Sequence, residues 1–298
     1  MKRAIILHNM GGARNKDELR EFLLNMFKDK RILNSPFRKI IAPIIANLRY
    51  KKVWENYKKI GGSRIYTITE NLCNEMQKYT DYEVVYAMRY TKPYLNKIIH
   101  KYEEIIFLPL YPHYSFTTYE SCLDDLKNTN FKGKVKIINP FFENEKFNEI
   151  IKENILKEID NPKEWNLIFS AHGIPKKLIN KGDKYYSHIL SHVEILKKKL
   201  SKFKSINLAF QSRFGPLEWL KPYLNEELKK YKNENVLVYP LSFMIDNSET
   251  DLELSIEYKE LAKEYGIKNY KVVKCPNDDE KVAKFLVELA NESSYSKS

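Results

Sequence analysis

The sequence predicts an α/β fold of doubly wound parallel sheets, arranged as two similar halves. Apolar runs typical of buried strands alternate with helical segments along the 298 residues. Strands that are separated by helices join in parallel, because the helix carries the chain back to the starting end of the sheet. About eight such strands are too many for one ordinary sheet. We therefore predict a half at residues 1–145 and a half at residues 146–298, with a ligand cleft between them.

Each predicted strand is a short apolar run that is rich in β-branched or aromatic residues. In the first half the strands are Ala4–Asn9, Glu83–Met88, Glu104–Leu108 and Val135–Asn139. In the second half they are Asn166–Ser170, Ile206–Phe210, Asn235–Tyr239 and Tyr270–Lys274. Helical periodicity predicts helices at Asp17–Phe27, Glu145–Ile159, Ser187–Leu200, Leu217–Lys230 and Glu249–Glu264.

Composition excludes several classes of protein. No apolar run approaches the roughly 20 residues that a membrane span needs. The apolar stretch after Lys2 and Arg3 stops at His8, which is too short for a signal peptide, so we expect a cytoplasmic protein. The net charge of +12 comes from lysines scattered over many helices, which is typical of solvated faces and does not favour nucleic acid. A basic surface also suits an anionic small molecule or the inner face of a membrane.

The three cysteines predict reduced thiols. Cys73, Cys122 and Cys275 are far apart and form no C-x-x-C pair. A disulfide framework, a zinc site and an iron–sulfur cluster are therefore disfavoured. We expect no tightly bound cofactor.

A histidine follows the fifth predicted strand, at the sheet edge where open α/β folds bind their ligands. The segment reads Phe169-Ser170-Ala171-His172-Gly173-Ile174-Pro175, and its glycine and proline end the strand. Histidine exchanges protons near neutral pH, so His172 is a candidate catalytic base. A histidine that merely caps the strand is the other interpretation.

Three glutamates follow the seventh predicted strand. Glu249, Glu253 and Glu257 lie four residues apart, which places them on one face of a helix. Such like charges repel, yet a row of carboxylates can accept protons or hold divalent cations. A solvated acidic face is the competing interpretation, although this row begins at the end of a strand in a basic chain.

Further clusters lie at other predicted strand ends. Asn9-Met10-Gly11-Gly12 allows close approach of a ligand to the backbone, and residues 108–118 are rich in aromatic and hydroxyl groups. Residues 209–223 contain Trp219, which is equally consistent with a core position. The segment Ser35–Tyr50 mixes apolar and basic residues. It suits an apolar ligand mouth, a membrane surface, or a connector packed on the core.

In this order the motifs resemble those of the ferrochelatase family, over nearly the whole chain. The matching segments are Leu7–Gly12, Asp17–Asp29, Gly61–Ser63, Met88–Tyr90, Tyr111–Ser115, Ser170–Pro175, Gln211–Pro222 and Pro240–Tyr258. The resemblance implies a chelatase-like fold and the insertion of Fe²⁺ into a porphyrin, with release of two protons. Protoporphyrin IX is the expected porphyrin, and coproporphyrin III is the alternative.

The resemblance also implies roles for individual residues. His172 and Glu249 match the catalytic pair, and with Glu253 and Glu257 they match groups proposed to bind metal or conduct protons. The positions that line the porphyrin pocket in the family are Met10, Arg89, Tyr90, Tyr114, Ser115 and Trp219. The expected partners are thus a porphyrin and ferrous iron, while the basic surface and the segment Ser35–Tyr50 are the reason to expect a peripheral membrane contact.

One departure from the family pattern concerns Asn247. Most relatives carry histidine at this position, two residues before Glu249. Because an amide only forms hydrogen bonds, we expect no proton acceptor or metal ligand here. Two other functions remain compatible with the sequence, namely a cobalt or nickel chelatase of related fold and a non-catalytic carrier of haem or another tetrapyrrole.

Overall fold

The computed structural model describes residues 2–213 and 215–292, which fall into two compact units. The first unit comprises the described parts of Met1–Tyr111, Ser115–Pro140 and Asn277–Ser298. The second comprises the described parts of Pro112–Tyr114 and Phe141–Pro276. Residues 293–298, which the sequence analysis assigned to its second half, lie outside the described residues.

The first unit is built on a parallel sheet of four strands. They are β1 (Arg3–Asn9), β2 (Glu83–Met88), β3 (Glu104–Pro109) and β4 (Lys134–Ile137), in the order β2-β1-β3-β4. In the central strand, Ile5 lies opposite Val84 on one side and Ile106 on the other. The buried apolar runs are thus paired on both edges, as the sequence predicts for a sheet covered on both faces.

Among the described residues of the first unit, six helices connect or cover these strands. They are α1 (Lys16–Lys28), α2 (Arg38–Lys59), α3 (Ile65–Gln77), α4 (Leu95–Ile98), α5 (Tyr119–Asn128) and α11 (Glu280–Glu292). The Asn15 side chain caps α1 by accepting hydrogen bonds from the backbone N–H groups of Asp17 and Glu18. The apolar residues of α1 then pack with those of α2, which fixes the two helices against each other.

The second unit repeats the strand order of the first. Its strands are β5 (Trp165–His172), β6 (Ser205–Gln211), β7 (Asn235–Pro240) and β8 (Asn269–Val272), in the order β6-β5-β7-β8. All are parallel, and Ser170 of β5 lies opposite Ala209 and Pro240. Two parallel four-stranded sheets with the same order confirm the predicted fold class.

The helices of the second unit are α6 (Glu145–Lys157), α7 (Lys176–Ile179), α8 (Tyr185–Lys199), α9 (Leu224–Leu228) and α10 (Tyr258–Glu264). A π-helix at Glu249–Glu257 runs directly into α10. The sequence predicted one α-helix across both, and the wider winding of the first nine residues was missed. Such windings are rare and frequently occur at functional sites.

The predicted helix Leu217–Lys230 is wrong over most of its length, since only α9 is helical. The backbone of residues 218–222 instead forms hydrogen bonds with other segments. The Lys176 amide donates to the Glu218 carbonyl at 2.8 Å, and the Phe210 amide donates to the Pro222 carbonyl at 2.8 Å. These groups are therefore satisfied by neighbouring segments rather than by a helix.

Helix α11 belongs to the first unit, although the sequence analysis placed residues 146–298 in the second half. The Asn71 side chain in α3 donates to Asp278 at 2.9 Å, just before α11. The buried Lys136 ammonium of β4 donates to the Ala290 carbonyl at 2.5 Å, in the last turn of α11. A lysine at a helix C-terminus also interacts favourably with the helix dipole, so these contacts hold the helix in place.

A buried hydrogen-bonded chain of two histidines links α6 and α8. The Asn148 amide nitrogen donates to the carbonyls of Phe142 and Asn144, so its oxygen faces His192 Nε2 at 3.0 Å. His192 Nδ1 then accepts from His113 Nε2 at 2.8 Å. Burial lowers the pKa of His192 to about 3, so the pair is neutral at physiological pH.

Replacing Asn148 with leucine should therefore destabilise the protein by about 1–3 kcal/mol, because the buried His192 N–H loses its acceptor. Urea unfolding measures the change. The matched control is Asn74→Leu, an exposed asparagine within α3, which should change stability by no more than about 0.5 kcal/mol. Equal effects of the two substitutions would contradict the role assigned to the histidine chain.

Candidate active site

His172 is the last residue of the central strand β5, where two hydroxyl groups fix its backbone. The His172 amide donates to Ser242 Oγ at 2.9 Å, and the Tyr185 hydroxyl donates to the His172 carbonyl at 2.9 Å. Tyr185 and Ser242 also bond to each other at 2.7 Å. The backbone of His172 is therefore held by a closed set of contacts from α8 and from the segment after β7.

The His172 ring pairs with the first glutamate of the π-helix. Its Nδ1 lies 2.8 Å from Glu249 Oε2, so Nδ1 carries the hydrogen and Nε2 is the atom available to a substrate. The side chains remain 35% and 25% exposed, which leaves the pair open to a ligand. The family resemblance implied this pair, and the structure brings its two members into contact.

A serine joins this pair to the second glutamate. The Ser212 hydroxyl lies 3.1 Å from Glu249 Oε2 and also contacts Glu253 Oε2 closely. The Ser212 amide donates to Glu253 Oε1 at 2.9 Å. Ser212 directly follows β6, and its neighbour Gln211 lies opposite His172 in the sheet. The ends of adjacent parallel strands thus deliver these groups to one place.

The electrostatics of the three groups are strongly interdependent. Burial alone would lower the pKa of His172, but the Glu249 carboxylate outweighs burial and raises it. Burial would raise the pKa of Glu249, but His172 and the hydrogen bonds from Ser212 and Gln211 lower it. Burial and the charge of Glu249 raise the pKa of Glu253 to about 7. The site thus holds an ionised carboxylate beside a carboxyl group that exchanges its proton near neutral pH.

Asn247 fixes the start of the π-helix. Its side-chain oxygen Oδ1 accepts from the backbone N–H of Glu249 at 2.9 Å, and its own backbone N–H donates to Thr250 Oγ1 at 2.9 Å. The side-chain nitrogen Nδ2 of Asn247 donates to the Ile245 carbonyl at 3.1 Å. This buried asparagine therefore orients the backbone that carries Glu249. Among the described residues, no hydrogen bond links Glu257 to the groups around His172.

Three of the predicted porphyrin-binding residues lie together in the first unit. The Tyr90 amide donates to the Met10 carbonyl at 3.0 Å, and Met10 packs beside the apolar cluster of α1 and α2. The Arg89 guanidinium donates to Asp125 Oδ1 at 3.0 Å and to Asp29 Oδ2 at 3.2 Å. Tyr90 is buried, and its hydroxyl donates to Asp29 at 3.0 Å. Arg89 and Tyr90 are thus held in a charged network beside a cavity of about 450 Å³.

The other three predicted residues have different surroundings. Ser115 is buried in the first unit, with its hydroxyl 3.1 Å from that of Thr117. In the second unit, the Tyr114 amide donates to His188 Nδ1 at 3.2 Å. Trp219 is half-buried beside Gly173. A Cβ added to this glycine would lie only 3.3 Å from the indole ring of Trp219. Of the three, Trp219 is the one that packs on the residue next to His172.

Four polar residues of the site were not predicted from the sequence. They are Tyr185, Gln211, Ser212 and Ser242. Strand register points to two of them, because Gln211 is the last residue of β6, opposite His172, and Ser212 directly follows it. Tyr185 and Ser242 come from a helix and a loop, whose approach to His172 the sequence pattern does not reveal.

All three cysteines are buried free thiols, namely Cys73, Cys122 and Cys275. Burial raises the pKa of Cys73 to about 12 and raises the pKa of the other two well above the ordinary value. Across residues 2–213 and 215–292, no three histidine, cysteine or acidic side chains are arranged to hold a metal ion. The helices of the same residues include none with the length and apolar character needed to cross a bilayer.

Comparison with known proteins gives matches along nearly the whole chain. A family model described as Ferrochelatase matches residues 2–294. Ferrochelatase of Campylobacter concisus is 45% identical, with 97% of each chain covered. Ferrochelatase of Nitratiruptor sp. is 43% identical, with 96% of this chain and 98% of the relative covered. Ferrochelatase of Sulfurimonas denitrificans is 42% identical, with coverages of 97% and 98%.

Solved structures support the fold at low sequence identity. SirB from Bacillus subtilis, solved with Fe³⁺, has a TM-score of 0.60 at 10% identity, with 99% of this chain and 100% of SirB covered. CbiX, an enzyme of sirohaem biosynthesis in denitrifying bacteria, has a TM-score of 0.55 at 10% identity, with 98% of each chain covered. These likenesses concern the chelatase-like fold alone, whereas the matches in sequence extend to the family. The chain therefore belongs to the ferrochelatase family.

Proposed function

We propose that this chain inserts Fe²⁺ into protoporphyrin IX to give haem, as a lyase that releases two protons and takes ferrous iron as a substrate. The observation that carries this proposal is the contact between His172 and Glu249 at a sheet edge, in a chain of this family. A free-base porphyrin must lose two N–H protons as the metal enters. A placed imidazole that accepts protons accelerates such a step by about 10²–10⁴-fold.

His172 acts as the base in this proposal, and Glu249 supports it. The imidazole accepts a proton at Nε2, while Nδ1–H remains directed at the Glu249 carboxylate. The negative charge of Glu249 stabilises the imidazolium that forms, which is the physical reason why the pKa of His172 is raised. Glu253 and Glu257 continue the acidic row along the π-helix. Their carboxylate oxygens accept protons that leave the ring or coordinate ferrous iron on its way to the ring.

The porphyrin ring needs apolar contacts and cationic partners. Aromatic and methionine side chains supply apolar surface for a flat ring, and we assign this role to Met10, Tyr114 and Trp219. Arginine pairs with carboxylates such as propionates, although Arg89 already bonds to two aspartates. We therefore assign Arg89, with Tyr90 and Ser115, to shaping the pocket wall. Binding energy from the ring can supply roughly 1–5 kcal/mol for its distortion.

The test is anaerobic incubation of the purified protein with Fe²⁺, or with Zn²⁺ as a surrogate, and each free-base porphyrin. Visible spectra report the metalloporphyrin. We expect catalytic turnover with protoporphyrin IX. Faster turnover with coproporphyrin III would make that porphyrin the substrate and leave the assignment of iron insertion unchanged. Turnover only with Co²⁺ or Ni²⁺ would favour the related chelatases. Binding of a porphyrin without turnover would indicate a tetrapyrrole carrier.

We also propose that the chain works without a tightly bound cofactor. The three thiols are buried, and their raised pKa values disfavour the thiolate that an iron–sulfur cluster requires. Iron analysis of the freshly purified protein tests this proposal. Stoichiometric iron with sulfide would contradict it.

An exposed apolar stripe on α2 supports a peripheral contact with the inner face of the membrane. Its residues lie three or four positions apart on one side of the helix and its N-terminal end, namely Phe37 (65% exposed), Ile40 (68%), Ile44 (55%) and Leu48 (78%). Ala42 and Ala46 on the opposite face are buried in the first unit. Exposed Lys39, Lys51 and Lys52 flank the stripe, so apolar insertion would be combined with attraction to anionic lipids.

Replacing both Ile40 and Leu48 with aspartate should reduce binding to vesicles that contain anionic lipids by at least about tenfold, because the stripe loses apolar area and gains repulsion. Vesicle sedimentation measures the binding. The control is Leu190→Asp, a substitution of an exposed leucine in α8, which should leave binding unchanged. Unchanged binding with a raised KM for the porphyrin would instead assign the stripe to the ligand mouth.

A further inference from the structure

Ser212 has an unusual backbone conformation in the centre of the proposed site. It follows β6 directly, and its φ is 65°. Residues other than glycine, asparagine and aspartate rarely adopt this left-handed region, since Cβ then crowds the following carbonyl. Such strain persists where surrounding contacts impose it, and it is concentrated at functional sites. The left-handed conformation of Ser212 is thus expected to be imposed by its contacts.

The contacts of Ser212 are with two glutamates of the π-helix. The hydroxyl bonds to Glu249 Oε2 at 3.1 Å and to Glu253 Oε2, while the amide donates to Glu253 Oε1 at 2.9 Å. The left-handed backbone directs the amide and the hydroxyl toward the same carboxyl group. One residue therefore holds Glu253 through both of its oxygens and also reaches Glu249.

This arrangement connects two groups that would otherwise repel each other. Two carboxylates in a partly buried site destabilise each other, and the hydroxyl between them donates its single hydrogen to one of them while its oxygen accepts the proton of the other when that group is protonated. Gln211 reaches only Glu249, with its Nε2 3.5 Å from Oε2, at the limit of a hydrogen bond. Its side-chain oxygen accepts from Ser170 at 2.6 Å, which fixes the orientation of the amide. Ser212 is thus the residue that connects the acidic pair.

We propose that Ser212 is a positioning residue that links Glu249 to Glu253 through its hydroxyl and thereby provides the route by which protons leave the site. This proposal rests on the chelatase function proposed above. After the His172 imidazolium gives its Nδ1 proton to Glu249 Oε2, breaking the N–H bond and forming an O–H bond, that proton passes to Ser212 Oγ and the proton of the serine passes to Glu253 Oε2. One O–H bond forms as another breaks at the serine, so Ser212 is unchanged and the net result is one proton moved from His172 to Glu253.

The test compares three substitutions with the wild-type protein, using Zn²⁺ and a soluble free-base porphyrin. Ser212→Ala removes the hydroxyl and keeps the strained backbone, whereas Ser212→Gly removes the hydroxyl and relieves the strain. Ser212→Cys keeps a weak donor in nearly the same volume. Thermal unfolding and quenching of porphyrin fluorescence check that each variant is folded and binds the ring.

We expect alanine and glycine to lower kcat by about 10²-fold and to leave KM for the porphyrin within about twofold, because the proton route is lost but the ring is bound. Cysteine should retain a kcat at least about tenfold above that of the alanine variant. A kcat for Ser212→Ala within twofold of the wild type would overturn the proposal. Recovery of kcat in Ser212→Gly would also overturn it, since strain rather than the hydroxyl would then matter.

A second measurement separates this proposal from the function on which it rests. The infrared carboxyl bands of Glu253, identified by their loss in Glu253→Gln, should shift in the free Ser212→Ala protein as the hydroxyl contact disappears. If the wild-type protein inserts no metal, the proposed function fails, and these bands still report on the linkage. Bands unchanged by the alanine substitution would show that the hydroxyl does not join the two carboxyl groups.

Discussion

Replacing His172 with alanine is expected to lower kcat for metal insertion by about 10⁴-fold while the protein remains folded. The imidazole is the group assigned to take protons from the pyrrole nitrogens, and removal of a placed base costs up to this amount. The side chain is 35% exposed at a strand end, and its hydrogen bond joins it to Glu249. Truncation therefore removes little core packing. Stopped-flow metallation and thermal unfolding measure the two effects.

His100→Ala is the matched control, because this exposed histidine lies in the first unit and touches none of the groups around His172. It should retain wild-type turnover. Metallation by His172→Ala at more than a tenth of the wild-type rate would exclude His172 as the base. Loss of turnover together with a large fall in melting temperature would indicate a structural role instead.

Replacing Glu249 with glutamine should lower kcat by about 10²–10³-fold and should also change the pH dependence. The amide keeps the size of the side chain but removes the charge that stabilises the His172 imidazolium. The base must be unprotonated at Nε2 to act, so activity falls as the pH drops through its pKa. Because Glu249 raises the pKa of His172, the acidic limb of kcat/KM should lie above the ordinary histidine value of about 6.5.

Without the carboxylate, burial remains as the main influence on His172, and burial lowers its pKa. The acidic limb should therefore move to lower pH in Glu249→Gln, while the plateau falls. Glu253→Gln and Glu257→Gln are the comparisons, and each should slow turnover less than Glu249→Gln, because neither bonds directly to His172. A larger loss in either of them, or an acidic limb that moves upward, would contradict the assigned roles.

The sequence predicts the sheets well because buried parallel strands are continuous apolar runs. All eight predicted strands lie within two residues of the strands in the structure at each end. The pairing of His172 with Glu249 was implied by the family resemblance, and in the structure β5 ends at His172 beside β7, the strand that precedes Glu249. Local sequence pattern and sheet topology agree at the strands and their ends, and for this reason the sequence predicts them.

Other features depend on contacts that local pattern does not contain. Glu249–Glu257 forms a π-helix, but glutamates four residues apart fit an α-helix equally well, so the sequence pattern does not distinguish the two. Residues 218–222 have a helical pattern, yet their backbone bonds to segments around Ile174 and Phe210. Ser212 is an ordinary polar residue in sequence, and its left-handed conformation follows from the glutamates that it contacts. In each case a tertiary contact overrides the local preference.

The placement of α11 has a consequence for the order in which the protein is made. The second unit interrupts the first, because residues 141–276 lie between two segments of the first unit. Domains generally fold in the order of synthesis, yet here the second unit is complete before the ribosome has made α11. Until then the nascent first unit lacks the apolar face of α11, which contributes the buried residues Val282, Phe285 and Leu286. The unit that begins first is therefore finished last, and until α11 docks its unfinished core leaves apolar surface exposed to aggregation.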